Sequence, residues 1–281
     1  TFTGNLRVAS RAVLNIQGTG AGDTHGGTFK KFGAGTLTND GTMNWSGGYI
    51  DVVGSGSLTN NGLFDISVDS NFGDRWVGTG TVTMRNNVGG VIVKSAGSGE
   101  TAIGSLGIPG GTANYVNFVN DGAIDVQSGT LRFNIGYSGA TGGGSVTHNG
   151  SIHIAQNATF EVGTVGAFVH SGTTVIDANG TLRHVGGFTN TATGVINGIG
   201  TIDVGTGVGN TLRNDGRIIL GNGTHGTLNV TGNYVQGTGG LLSAGLGGAA
   251  AGQFDKLSVG GSAVIDGTLL VVEDAGYSRS A

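Results

Sequence analysis

Hydrolysis of a glycoside needs two carboxylates about 5 to 9 Å apart, and this chain carries Asp40, Asp51 and Asp65 close together in sequence, with Arg85 a little further on. On a scaffold that lays neighbouring stretches side by side, Asp65 with Asp51 or Asp40 would supply such a pair, and Arg85 the basic neighbour. A local use competes with this one. Asp40, Asp121 and Asp215 each stand directly before a glycine, the turn slot in which an aspartate side chain hydrogen-bonds nearby backbone. Turn chemistry accounts for these carboxylates better than catalysis does. The six histidines, His25, His148, His153, His170, His184 and His225, are dispersed, whereas a metal site needs three or four converging ligands. They are expected on a polar surface, with no metal and no cofactor. The chain has no cysteine, which removes thiol nucleophiles, iron–sulfur clusters and cysteine-based zinc sites. Gly-x-Ser-x-Gly, His-Glu-x-x-His and phosphate-loop motifs do not occur in it.

Binding chemistry is concentrated where the sequence rhythm breaks. Three excursions stand out: residues 69–76 (DSNFGDRW), 96–114 (with the single proline, Pro109) and 136–145. The first brings together Phe72, Asp74, Arg75 and Trp76, an aromatic and polar mixture suited to stacking on a sugar ring while bonding its hydroxyls. The competing role for Trp76 is an aromatic cover folded over the core. A flat threonine face that orders water is a further candidate, since Thr36 and Thr38 resemble Thr81 and Thr83, but Ser57-Leu58-Thr59 intervenes.

The elements that must position these residues are repeats. Gly-x-Gly-Thr-Leu-x-Asn-x-Gly followed by alternating apolar residues reads clearly at 33–45 (GAGTLTNDGTMNW) and, 21 residues on, at 54–66 (GSGSLTNNGLFDI). Weaker copies surround Asn120-Asp121-Gly122, His148-Asn149-Gly150, Ala178-Asn179-Gly180 and Asn214-Asp215-Gly216. A period in the low twenties is the mark of a solenoid, in which one coil cannot bury its apolar side alone. Alternation of period two assigns Phe64, Ile66 and Val68 to one face, and likewise Val82 with Met84, Ile124 with Val126, Leu131 with Phe133, Ile152 with Ile154, Ile202 with Val204, Ile218 with Leu220 and Leu228 with Val230. Trp45, in register with Met43, is expected in the core. The Asn-x-Gly elements are expected at corners, on the ground that both residues tolerate positive φ. No stretch has helical spacing. Asn-Gly and Asp-Gly also favour hairpins, but a unit of about twenty residues without symmetric pairing partners suits parallel stacking better.

Composition agrees with a rod of strands and turns: 61 of 281 residues are glycine, one is proline and 11% are charged, against roughly 25% charged in ordinary domains. A net charge of -4 with 13 scattered basic residues argues against nucleic acid as a partner. No apolar run reaches the ~20 residues of a membrane span.

These residues resemble the β-helical passenger regions of bacterial autotransporters and filamentous-haemagglutinin-like surface adhesins. The likeness lies in Gly35-Thr36-Leu37, Gly56-Ser57-Leu58, Gly200-Thr201-Ile202 and Gly226-Thr227-Leu228, and above all in 226–271, where a Gly-Asn-Tyr strand is followed by Asp-Lys-Leu and Asp-Gly-Thr-Leu. It implies export and display at a bacterial surface, and binding or spacing without one fixed chemistry. The expectation is therefore an all-β, right-handed parallel β-helix of roughly eleven irregular coils, forming one domain over 1–281 and cut from a longer surface protein. Its expected role is a secreted structural or adhesive rod, not an enzyme, whose partner is a host or environmental glycan or protein, or another copy meeting a rod end. A self-assembling filament subunit and a β-helical polysaccharide lyase or hydrolase are the alternatives.

Overall fold

The structure, a computed structural model, describes residues 4–18, 29–32, 35–52, 55–73, 82–104, 116–133, 144–163 and 166–277. It is a right-handed parallel β-helix of about eleven coils. Each turn of chain visits three sheets in order. Among the described residues the first begins at Leu6–Val8 and the second at Val13–Ile16, each with 11 strands; the third begins at Phe29–Phe32 and has 10. Every strand pairs in parallel with its counterpart one coil away, as Thr36–Asn39 does with Ser57–Asn60. Parallel strands need a crossover, and here the other two sheets of the coil provide it.

Alternation decides what enters the core. On the second sheet Met43, Phe64, Ile92, Ile124, Ile152, Thr174, Ile196, Ile218 and Leu242 form one inward column in unbroken register. The inward residues assigned from the sequence are all buried, and Trp45 is fully enclosed with its indole N–H donated to the carbonyl of Gly48 at 2.9 Å. Burying such a side chain contributes about 1.5–3 kcal/mol, and the column spreads that gain evenly over the coils. One inward position is charged: Lys94 stands between Ile66 and Val126 with no exposure. Its Nζ donates to Asp69 Oδ1 at 2.8 Å and to the carbonyls of Val68 and Ala96, as a buried cation requires.

The Asn-x-Gly corners work differently from the positive-φ expectation. Asn39, Asn60, Asn86 and Asn120 end strands of the first sheet, have no exposure, and point inward. The Nδ2 of each of the first three donates to the Oδ1 of the next, at 2.7, 2.8 and 2.7 Å, making an amide ladder along the rod. The following glycine is required by close stacking: a Cβ on Gly62 would lie 2.1 Å from the carbonyl oxygen of Gly41, and one on Gly150 2.0 Å from that of Gly122. Ladder partners are separated by 21, 26, 34 and 28 residues, so insertions leave the coil without disturbing its register.

The ladder continues through histidine. Asn120 Nδ2 reaches His148 Nδ1 at 3.0 Å, which must therefore accept, so His148 carries its proton on Nε2 and donates to the carbonyl of Thr173 at 3.1 Å. Beyond it the polarity resumes with Asn190 Nδ2 donating to Asn214 Oδ1 at 2.8 Å. Asn190 Oδ1 is thus an acceptor, and His170 donates to it from Nδ1 at 2.9 Å while its Nε2 accepts from Thr174 Oγ1 at 2.7 Å. That bond explains the one hydroxyl in the second-sheet column. The two rings lie with centroids 5.0 Å apart, tilted by 59°.

Asn86→Ala would leave the amide of Asn60 and the acceptors on Asn120 and Ala123 short of a partner inside the rod. An expected loss of about 3 kcal/mol follows, measured as a lower denaturant midpoint; unchanged stability would contradict the ladder's role.

Candidate functional site

The sugar-facing loop read from the sequence divides. Phe72, in the strand Asn71–Gly73, is 2% exposed and packs edge-on against Trp45 with centroids 6.3 Å apart. It is a core residue: alternation turned it inward, a direction that an excursion beginning at 69 concealed. Asp74, Arg75 and Trp76 lie outside the described residues.

The carboxylates proposed as a hydrolytic pair are not brought together. Asp65 faces outward on the second sheet between Asn44 and Val93. Asp51 is 5% exposed in the buried strand Tyr49–Val52 of the third. Asp40 sits at a corner, where a hydrogen bond from Asn61 at 2.6 Å and the Arg7 guanidinium hold its carboxyl below the usual range. Arg85 belongs to the first sheet and is bound to Asn87 Oδ1 at 2.7 Å and to Asp121. It also succeeds Thr38 and Thr59 in register, so the candidate threonine row breaks at this coil; Thr81 lies outside the described residues.

The surface expectation for the histidines fails for three of them. His148, His170 and His184 are buried; burial pushes His148 down to about 4 and, with the neighbouring His148, His170 to about 3, and also lowers His184. The positions of His148 and His170 in the asparagine slot, as in His148-Asn149-Gly150, were the available signal; His184 instead follows the third-sheet strand Thr181–Arg183. His25 lies outside the described residues. His153 is outward on the second sheet, with Nδ1 2.8 Å from Asp125 and Nε2 3.1 Å from Asp177. Partial burial opposes its charge, but the two carboxylates outweigh it and raise its pKa. On the third sheet Glu100, Arg132, Glu161, Arg183 and Asp203 alternate in sign along the axis, at 3.4 to 4.0 Å between partners. Neighbouring charges are thus neutralised along the rod, each exposed pair contributing at most about 1 kcal/mol.

One cluster lines a hollow. At the corner between second and third sheets in the last coils, Leu220, Gly221, Gly223, Thr224, His225, Gly245, Asp255 and Asp274 line an open hollow of about 310 Å³. Asp255 has a 5% exposed side chain and accepts the backbone N–H of Gly226 at 3.0 Å and of Gly245 at 2.7 Å. His225 Nε2 lies 2.9 Å from Asp274 Oδ2, and Nδ1 lies 3.6 Å from Asp255 Oδ1. The Asp274 hydrogen bond leads in raising the imidazole above its ordinary pKa. Sequence reasoning placed His225 on a plain surface because its partners arrive from two later coils. A cavity with converging polar groups and a perturbed titratable residue is where ligand chemistry is sought first. Among the described residues no three His, Asp or Glu side chains are placed to hold a metal ion.

Compared with known proteins, the chain matches no family model and no curated protein.

Proposed function

We propose that the chain is the shaft of a secreted bacterial surface protein, of the kind found in autotransporter passengers and filamentous adhesins, and that it works by display and binding and not by catalysis. The observation that carries this reading is the stack itself. Its strands keep one register from Leu6–Val8 to Ala263–Val264 on the first sheet, and at ~4.8 Å per coil the chain is spent on reach. Irregular coil lengths fit the same role, because loops that leave a rigid coil are where binding is placed. The partner class is a glycan or a protein of a host or environmental surface.

The test is a glycan-array screen run beside a polysaccharide-depolymerisation assay on the purified chain. Selective retention without new chain ends is the expected result. New reducing or unsaturated ends would overturn it in favour of a β-helical hydrolase or lyase. Silence in both assays together with concentration-dependent growth in light scattering would select a self-assembling filament subunit instead.

A further inference from the structure

We infer that the hollow around His225 is a binding site for a single sugar ring bearing a free amine, a hexosamine residue of a surface glycan. The inference rests on the reading of the rod as a glycan-binding shaft and gives that binding a place.

The argument begins with donors and acceptors. Two carboxylates, Asp255 and Asp274, line the hollow with one imidazole and Thr224. His225 held between the two aspartates cancels one negative charge when protonated and leaves the other. A ligand entering here must bring hydrogen-bond donors, and positive charge favours it. Uronic and sialic acids bring a carboxylate to a site that already holds two, and like charges are disfavoured at such range. An ammonium with neighbouring hydroxyls supplies the missing donors.

Shape selects the size. About 310 Å³ lies at the small end of ligand pockets, which span roughly 300–1,000 Å³, and it suits one ring. Leu220, an inward core residue, closes the hollow on its inner side. Glycines keep the hollow open: a Cβ on Gly245 would stand 2.9 Å from Asp255 Oδ2 and 3.0 Å from His225 Cε1, and one on Gly247 2.4 Å from Asp274 Oδ2. Asp255 is fixed by its two backbone donors, so the polar wall is set before the ligand arrives, which lowers the ordering cost of binding.

The experiment is a titration of the isotopically labelled chain, followed by NMR at the His225 ring and the Gly245 amide, with glucosamine, N-acetylglucosamine and glucuronic acid as probes. Saturable shifts with glucosamine are expected, about ten-fold weaker with the acetylated sugar and absent with the uronic acid. Asp274→Asn, a change at a half-exposed side chain, is expected to weaken glucosamine about ten-fold, the size of one charge-assisted hydrogen bond. No shift with any sugar, equal shifts with all three, or an unaltered Asp274→Asn variant would overturn the inference. Array retention shared by the parent chain and Asp274→Asn, with no shift at His225, would sink this site and leave the adhesive reading intact. Shifts at His225 without array retention would do the reverse.

Discussion

Ile124→Asp is expected to break the rod at its middle. Ile124 is 1% exposed, between Ile92 and Ile152 in the second-sheet column, and no cation stands in that column to meet a carboxylate. The variant loses the buried side chain and gains an uncompensated charge or a displaced proton. The combined cost is at least about 5 kcal/mol, comparable to the whole stability of an ordinary domain. Coils contact only their neighbours, so the damage centres on adjacent turns, and hydrogen exchange would accelerate first at residues 92, 124 and 152. Ile66→Asp and Val126→Asp are milder, because those positions flank Lys94 in register and a new carboxylate there finds a buried ammonium. A soluble Ile124→Asp chain with an unchanged unfolding transition would refute the inward column.

Acid is expected to loosen the rod through its buried histidines. In the unfolded chain imidazoles take up protons near their ordinary value of 6.5, whereas the folded chain refuses them until about 4 at His148 and about 3 at His170. Below 6.5 the unfolded state therefore binds more protons, and stability, full above that pH, declines as pH falls towards 4 and beyond. His184, also lowered by burial, acts in the same sense. Each unit of separation is worth about 1.4 kcal/mol, so the ladder pair alone loses several kcal/mol by the acid end of this window. His153 and His225 act oppositely: their raised pKa values contribute stability that is present at low pH and lost as pH rises through the folded values. Both are more open to solvent, which screens their share. Asp40 and Asp69, with lowered pKa values, matter only as pH approaches their ordinary 3.8. Denaturant midpoints at pH 7 and pH 4.5 should differ clearly in the parent chain. The double variant His148→Asn and His170→Asn, which continues the amide ladder, should flatten the difference; an equal acid loss in that variant would contradict the assignment.

The pattern of period two was legible because it is set by local alternation: from Phe64 and Ile66 to Leu228 and Val230, the inward residues could be named without knowing which strand lay beside which. The coil count followed from the repeat. What alternation does not encode is the phase of one coil against another. Gly35-Thr36-Leu37 opens a first-sheet strand, while Gly200-Thr201-Ile202 and Gly226-Thr227-Leu228 open strands of the third, so the same tripeptide marks two different corners. Ala178-Asn179-Gly180 was misplaced for that reason: Asn179 has φ 60° in a turn leading to the third sheet, whereas the true ladder positions nearby are His170 and Asn190. The buried amides escaped notice because an asparagine before glycine has a sufficient local explanation as a turn residue. Its longitudinal partner, 21 to 34 residues away, appears only when coils are stacked. The hollow at His225 depends on two such long steps, to Asp255 and Asp274, and was invisible for the same cause.

Stacking in register is the claim from which the rest descends, and one distance tests it. The chain has no cysteine, so Thr59→Cys and Thr189→Cys give two unique spin-label sites on the outer face of the first sheet. The register runs Thr59, Arg85, Val119, Thr147, Val169, Thr189, five inter-strand steps, or about 24 Å at ~4.8 Å each. Pulsed electron–electron resonance is expected to return a single narrow distribution near that value, widened only by the label tethers. A broad distribution, or one centred far from it, would mean that these strands are not successive rungs and would remove the rod on which the functional reading stands.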